Sequence, residues 1–138
     1  MDAKPIILIA EDNVEVARLF GAKLASAGFE ILYAHDGNEG REMARRFKPR
    51  LILLDIHMPV MDGVTAAEHL RGEKETKDIP LVFLTNDDFS FDAEELAKKM
   101  LVVDYIHKSI DLNEFVERVK RILEQHEKSS VGRMNSAG

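Results

Sequence analysis

Four short apolar runs, each ending in a polar residue, constrain this chain more than anything else in it. They are Ile6-Ile7-Leu8-Ile9 before Glu11-Asp12, Leu51-Ile52-Leu53-Leu54 before Asp55, Leu81-Val82-Phe83-Leu84 before Thr85, and Leu101-Val102-Val103 shortly before Lys108. Continuous runs of this length suit strands buried on both faces, the condition of a parallel sheet covered by helices. Ligands of such sheets bind beyond the carboxyl ends of the strands. Three carboxylates, a hydroxyl and an ammonium are therefore expected to meet in one place.

Helical patterns separate the runs. A first helix is predicted over about Val14 to Ala27, stopping at Gly28, with Val16, Leu19, Phe20 and Leu24 on its buried stripe. Ile31-Leu32-Tyr33 reads as a second strand, polar at its flanks and hence an edge. Asp36-Gly37 opens a second helix in which Met43, Ala44 and Phe47 share a face, and Pro49 follows its end. A third helix is predicted from about Val64 to Arg71, then a polar loop from Gly72 to Asp78. Asp92 is placed as the cap of a fourth helix containing Leu96, Ala97 and Met100. The fifth strand is read as Val102 to Ile106. The last helix carries Leu112, Phe115, Val116, Val119, Ile122 and Leu123 on one stripe, with Asp111 near its start. Five β-α units in succession call for right-handed crossovers and a three-layer α/β/α sandwich. Residues 1–126 are read as one domain and 127–138 as a disordered tail.

Bulk properties narrow the function classes. With 138 residues the chain fits a single domain. It has no cysteine, which excludes disulfides and thiolate chemistry, and no apolar stretch approaches a membrane span. The start Met1-Asp2-Ala3-Lys4-Pro5 lacks a signal-peptide core, so a cytoplasmic location is expected. A net charge of −6, with Arg45-Arg46, Lys48, Arg118, Lys120 and Arg121 read as solvated helix faces, argues against direct nucleic-acid binding.

The polar residues at the strand ends carry the chemistry. Two ionised carboxylates about 5 Å apart repel by roughly 3 kcal/mol at an effective dielectric near 20. Glu11, Asp12 and Asp55 together thus call for a cation or for protonation. Hard oxygen ligands favour Mg²⁺. Taken alone, Glu11 and Asp12 fit a helix cap equally well. Lys108 would suit a phosphoryl oxygen, and Thr85 offers a hydroxyl donor.

These residues, with Glu11-Asp12-Asn13, Asp55-Ile56-His57-Met58-Pro59, Met61-Asp62-Gly63, Thr85 and Asp104-Tyr105-Ile106 before Lys108, make the chain similar to the receiver domain of two-component response regulators. The likeness covers about residues 5 to 125. It implies a parallel sheet in the flavodoxin-like order 2-1-3-4-5. It also implies that Asp55 accepts a phosphoryl group from a histidine kinase or phosphotransfer protein. Mg²⁺ would be held by Asp12, Asp55 and the backbone carbonyl of His57, with Glu11 acting through water. Lys108 and Thr85 would hold phosphoryl oxygens. Tyr105 would turn inward as Thr85 moves, remodelling the face made by the fourth helix, fifth strand and last helix. That face would bind a downstream protein or a second copy. The implied role is signalling rather than enzymatic, apart from autocatalytic phosphotransfer and slow self-dephosphorylation.

The chain departs from the family at several positions. Ser109 stands where proline usually follows the lysine, and base rates favour a trans Lys108–Ser109 bond. Asn86 replaces a small residue, and with His57 and Asp87 it is placed as a tuner of phosphoryl lifetime. Leu101 and Val102 replace a glycine-alanine pair, and with Phe89 and Phe91 they form core or an apolar partner patch. Two other readings stay open. One is a degenerate receiver acting as a phosphorylation-independent scaffold. The other is an Asp-nucleophile phosphatase of the haloacid dehalogenase type, against which the absence of a second aspartate two residues after Asp55 counts. A nucleotide- or flavin-binding fold is disfavoured for want of a glycine-rich loop after the first strand. No output domain fits after Gln125, so a stand-alone receiver, or one cut from a longer chain, is expected.

Overall fold

The computed structural model describes residues 3–86, 95, 98, 100 and 102–127, and the backbone alone over 128–137. The elements run β1 (Ile6–Ala10), α1 (Val14–Ser26), β2 (Glu30–Ala34), α2 (Gly37–Phe47), β3 (Leu51–Asp55), α3 (Gly63–Gly72), β4 (Leu81–Thr85), β5 (Val102–His107) and α4 (Leu112–Ala137). Of the expected fourth helix, residues 95, 98 and 100 are helical, whereas Asp92, Leu96 and Ala97 lie outside the described residues, as do Asp87, Phe89, Phe91 and Leu101.

All five strands are parallel, in the order β2-β1-β3-β4-β5. The apolar runs divide by alternation, as a sheet covered on both faces requires. Ile7, Ile9, Leu51, Leu53, Val82 and Leu84 pack with Phe20, Leu24, Phe115, Val119 and Leu123 from α1 and α4. Leu8, Ala10, Ile52, Leu54, Leu81 and Phe83 pack instead with Ala44, Ala66, Ala67 and Leu70 from α2 and α3.

Local chemistry starts each helix. Asn13, Asp36 and Asp62 accept from the backbone N–H groups of Val16, Glu39 and Thr65, and Asp111 accepts from Asn113 and Glu114. These bonds satisfy N–H groups that the helix itself cannot. Because Asn13 caps α1, Glu11 and Asp12 are free for other work.

Several expectations are corrected. Leu19 lies 54% exposed, because Ala17, Phe20, Gly21 and Leu24 form the buried stripe and Leu19 falls outside it. Phe47 is also exposed, with the Arg46 guanidinium over its ring. The β5 run is not buried like the others. Its register against β4 jumps from Leu81↔Val102 to Val82↔Asp104, so Val103 bulges from the edge strand and is half exposed. The chain from Glu127 onward, read as a disordered tail, continues as helix to Ala137. No proline interrupts it, and Arg50 pairs with Glu127 at the point where the domain was expected to end.

The polar loop after α3 is held from inside. The buried Thr76 hydroxyl donates to the Leu70 carbonyl. Arg71 donates to the carbonyls of Met100, Lys77 and Ile79 at 2.7, 2.9 and 2.6 Å. Burial moves the Arg71 pKa below its ordinary value, while Asp78 opposes the shift. Among the described residues no helix is long and apolar enough to cross a membrane.

Candidate functional site

The order of the sheet reverses between β1 and β3, and Glu11, Asp12 and Asp55 sit at the carboxyl ends of those two strands. One carboxylate oxygen from each lies within 4.8 Å of the others, a group able to hold a metal ion. Glu11 and Asp55 are buried, at 1% and 4% exposure, whereas Asp12 is open to solvent. The site therefore has two sealed walls and one accessible ligand.

Lys108 reaches this cluster from the end of β5. Its Nζ donates to Glu11 Oε1 at 3.0 Å, lies 2.9 Å from Oε2, and pairs with Asp55 Oδ1 at 3.1 Å. The approach to Oε2 is close in distance but not directed as a hydrogen bond, so that buried oxygen has no hydrogen-bond donor. Burial raises the Glu11 pKa to about 7; Lys108 works against the rise and the Asp55 charge adds to it. Burial alone would lower the Lys108 pKa, yet its bonds to Glu11 and Asp55 prevail and raise it.

The donor set fits a hard divalent cation. All its ligands are carboxylates, one buried oxygen lacks a donor, and one lysine stands against three acids. No histidine or cysteine belongs to the group.

Thr85, also buried, ends β4, and its carbonyl accepts from the Lys108 backbone N–H at 2.8 Å. His57 N–H faces Asp55 Oδ1 at 3.4 Å. Tyr105 is half buried, with its ring centroid 5.5 Å from that of Phe83 and tilted by 58°. Asn86 is exposed beside Thr85. The Lys108–Ser109 peptide is trans, for no cis bond occurs among the described residues.

Two features escaped the sequence reading. The first is a pair of close-packed glycines under the loop after Asp55. A Cβ at Gly63 would lie 2.2 Å from the Asp55 carbonyl oxygen, and one at Gly37 would lie 2.1 Å from that of Met61. Gly63 N–H donates to Ile56 O and Gly37 N–H to Met61 O, both at 2.9 Å. The Asp-Gly pairs at 36–37 and 62–63 were the available signal. The second is Arg118, read as a solvated charge. It binds Asp104 through two guanidinium nitrogens and donates to the Tyr105 carbonyl at 2.8 Å, tying α4 to β5.

Comparison with known proteins agrees with this geometry. The model of the response regulator receiver domain matches residues 7–120. The polar-differentiation response regulator DivK of Brucella anthropi is 30% identical over 117 residues, covering 85% of this chain and 94% of DivK. The DNA-binding dual master transcriptional regulator RpaA of Synechocystis sp. is 32% identical over 127 residues, covering 86% of this chain; the chain spans about half (49%) of that relative's length. A CheY-like receiver domain protein from Methanospirillum hungatei superimposes with a TM-score of 0.84 at 22% identity, covering 92% of this chain and 99% of that one. A family match over most of the chain and a fold of the same topology agree, and the chain belongs to the response regulator receiver domain family of two-component signal transduction.

Proposed function

We propose that this chain is a phosphorylation-switched signalling module in which Asp55 takes a phosphoryl group from a histidine kinase or phosphotransfer protein. One observation carries the reading: the Lys108 ammonium bridges two buried carboxylates while Asp12 stays open in the same cluster. Asp12, Asp55 and the His57 carbonyl would hold Mg²⁺, with Glu11 acting through water. When bound, the ion supplies positive charge against which an anionic donor and an anionic nucleophile can approach.

An Asp55 oxygen attacks phosphorus, and the new O–P bond forms as the donor's P–N bond to imidazole breaks. The imidazole leaves with the electron pair and takes a proton. Lys108 neutralises a phosphoryl oxygen, and the Thr85 hydroxyl donates to another. His57 and Asn86, together with Asp87 of the sequence pattern, are assigned the tuning of how long the acyl phosphate lasts.

As Thr85 turns toward the phosphoryl group, the Tyr105 ring moves into the space beside it. The phosphate shifts this equilibrium only through contacts that differ between the two arrangements. The altered face includes β5 and α4. It presents exposed Val103 and the Asp104–Arg118 pair to a downstream protein or a second copy. Some relatives are transcriptional regulators, so control of transcription through a longer protein or a partner is one output of such a switch.

Intact mass after incubation with a small acyl phosphate tests the proposal. The wild type is expected to gain one phosphoryl group only with Mg²⁺, and Asp55→Asn to gain none. A wild type that stays unmodified, or a mutant modified equally, would reject Asp55 as acceptor.

A further inference from the structure

Ser109 and His107 flank Lys108, and their side chains meet. His107 Nε2 lies 2.8 Å from the Asn86 carbonyl oxygen. A carbonyl only accepts and a backbone N–H only donates, so Nε2 carries the proton and Nδ1, which faces the Ser109 N–H, is an acceptor. Nδ1 receives both donors of Ser109, its backbone N–H at 3.1 Å and its hydroxyl at 2.7 Å. One imidazole thus joins the residue after Thr85 to the residue after Lys108.

The backbone of Lys108 is bracketed by this arrangement. Its N–H donates to Thr85 O at 2.8 Å, and Ile110 N–H donates to His107 O at 3.0 Å. Thr85 and His107 are partners in the β4–β5 register. The ends of β4 and β5, which carry the hydroxyl and the ammonium of the site, are therefore fastened across one ring. A proline at position 109 has neither an N–H nor a hydroxyl, and could make neither bond to Nδ1. Serine there supplies the donors that this histidine accepts.

We infer that His107 is a positioning residue for phosphoryl transfer: by stapling Asn86 to Ser109 it fixes the Lys108 backbone so that Nζ stands over Asp55. The inference rests on the phosphoacceptor reading above. His107 touches none of the three carboxylates in the hydrogen bonds described, so its loss should leave cation binding intact while misplacing the lysine. A misplacement of about 1 Å at a reacting group can cost up to about a hundredfold in rate.

The test is the rate of phosphoryl uptake from a small acyl phosphate at saturating Mg²⁺, for wild type, His107→Ala and His107→Gln, beside each protein's Mg²⁺ affinity and melting curve. We expect His107→Ala to lose about tenfold or more in maximal rate, with Mg²⁺ affinity and half-saturating donor concentration within about twofold of wild type. His107→Gln should recover part of the rate, because its amide N–H can still reach the Asn86 carbonyl. Nitrogen-15 spectra of the wild type should show the neutral Nε2–H tautomer. An unchanged His107→Ala rate, parallel losses of rate and Mg²⁺ affinity, or a ring protonated on Nδ1 would each overturn the inference. If His107→Ala fails to fold, the glutamine variant and the tautomer decide by the same criteria. A wild type that takes no phosphoryl group would reject the phosphoacceptor reading itself, and this inference with it.

Discussion

Gly63→Ala is expected to cost the domain more than about 3 kcal/mol and to lower its thermal midpoint by roughly 10 °C or more. The added Cβ would lie 2.2 Å from the Asp55 carbonyl oxygen and 3.0 Å from both the carbonyl carbon and Ile56 Cα. All three are backbone atoms, so no side-chain rotation relieves the overlap. Relief requires α3 to shift away from the end of β3, which breaks the Gly63 N–H to Ile56 O bond and moves Asp55. Gly72→Ala is the control with the opposite sign. Nothing lies within 4 Å of its Cβ, so the change should be neutral or stabilise α3 by a few tenths of a kcal/mol. Melting of the two variants checks the pair; a Gly63→Ala midpoint within about 2 °C of wild type would show that the close approach is not needed.

Lys108→Met should destabilise the divalent-free protein by about 2–3 kcal/mol at pH 8, and by much less at pH 5. The direction follows from Glu11. Burial, helped by the Asp55 charge and opposed by Lys108, lifts its folded-state pKa from 4.5 to about 7. Between those values the folded protein holds a proton that the unfolded chain has shed. The contribution of this group is fully present below about 4.5 and is lost as pH rises through about 7. Without Lys108 the buried acids lose their counter-charge, so at pH 8 the fold must either hold them ionised and unpaired or take up a proton that the unfolded chain has shed. At pH 5 Glu11 is already neutral in the fold, and less is lost. Added Mg²⁺ should narrow the difference by taking the lysine's place. Denaturant melts at the two pH values check this; a loss of equal size at both would mean that Lys108 contributes packing rather than charge.

The sheet was legible because its runs are long enough to be buried on both faces, and alternation within them assigned each residue to a layer. The edges were harder. Nothing in Leu101-Val102-Val103 distinguishes a bulged edge strand from a central one, because a bulge is set by pairing with the neighbour. Leu19 was misplaced because an apolar residue beside a buried stripe looks much like one within it. The helical extension past Glu127 was missed because its residues lack apolar period, although none of them forbids a helix.

At the site, the convergence of Glu11, Asp12, Asp55, Thr85 and Lys108 followed from strand ends alone. Sequence left Glu11 and Asp12 divided between cap and cation site; in the structure it is Asn13, accepting from the Val16 N–H, that caps the helix. Contacts between loops had no comparable signal. Arg118 bound to Asp104 and the bridge from Asn86 through His107 to Ser109 depend on where separate segments pass each other.

The central claim is that three carboxylates brought together by β1 and β3 form a single cation pocket guarded by Lys108. Calorimetric titration of the divalent-free protein with Mg²⁺ tests it most directly. One ion per chain is expected, with an affinity at least about tenfold weaker in Asp12→Asn and Asp55→Asn and tighter in Lys108→Met, where the competing charge is gone. Absence of binding, or binding that both asparagine variants leave undiminished, would contradict it.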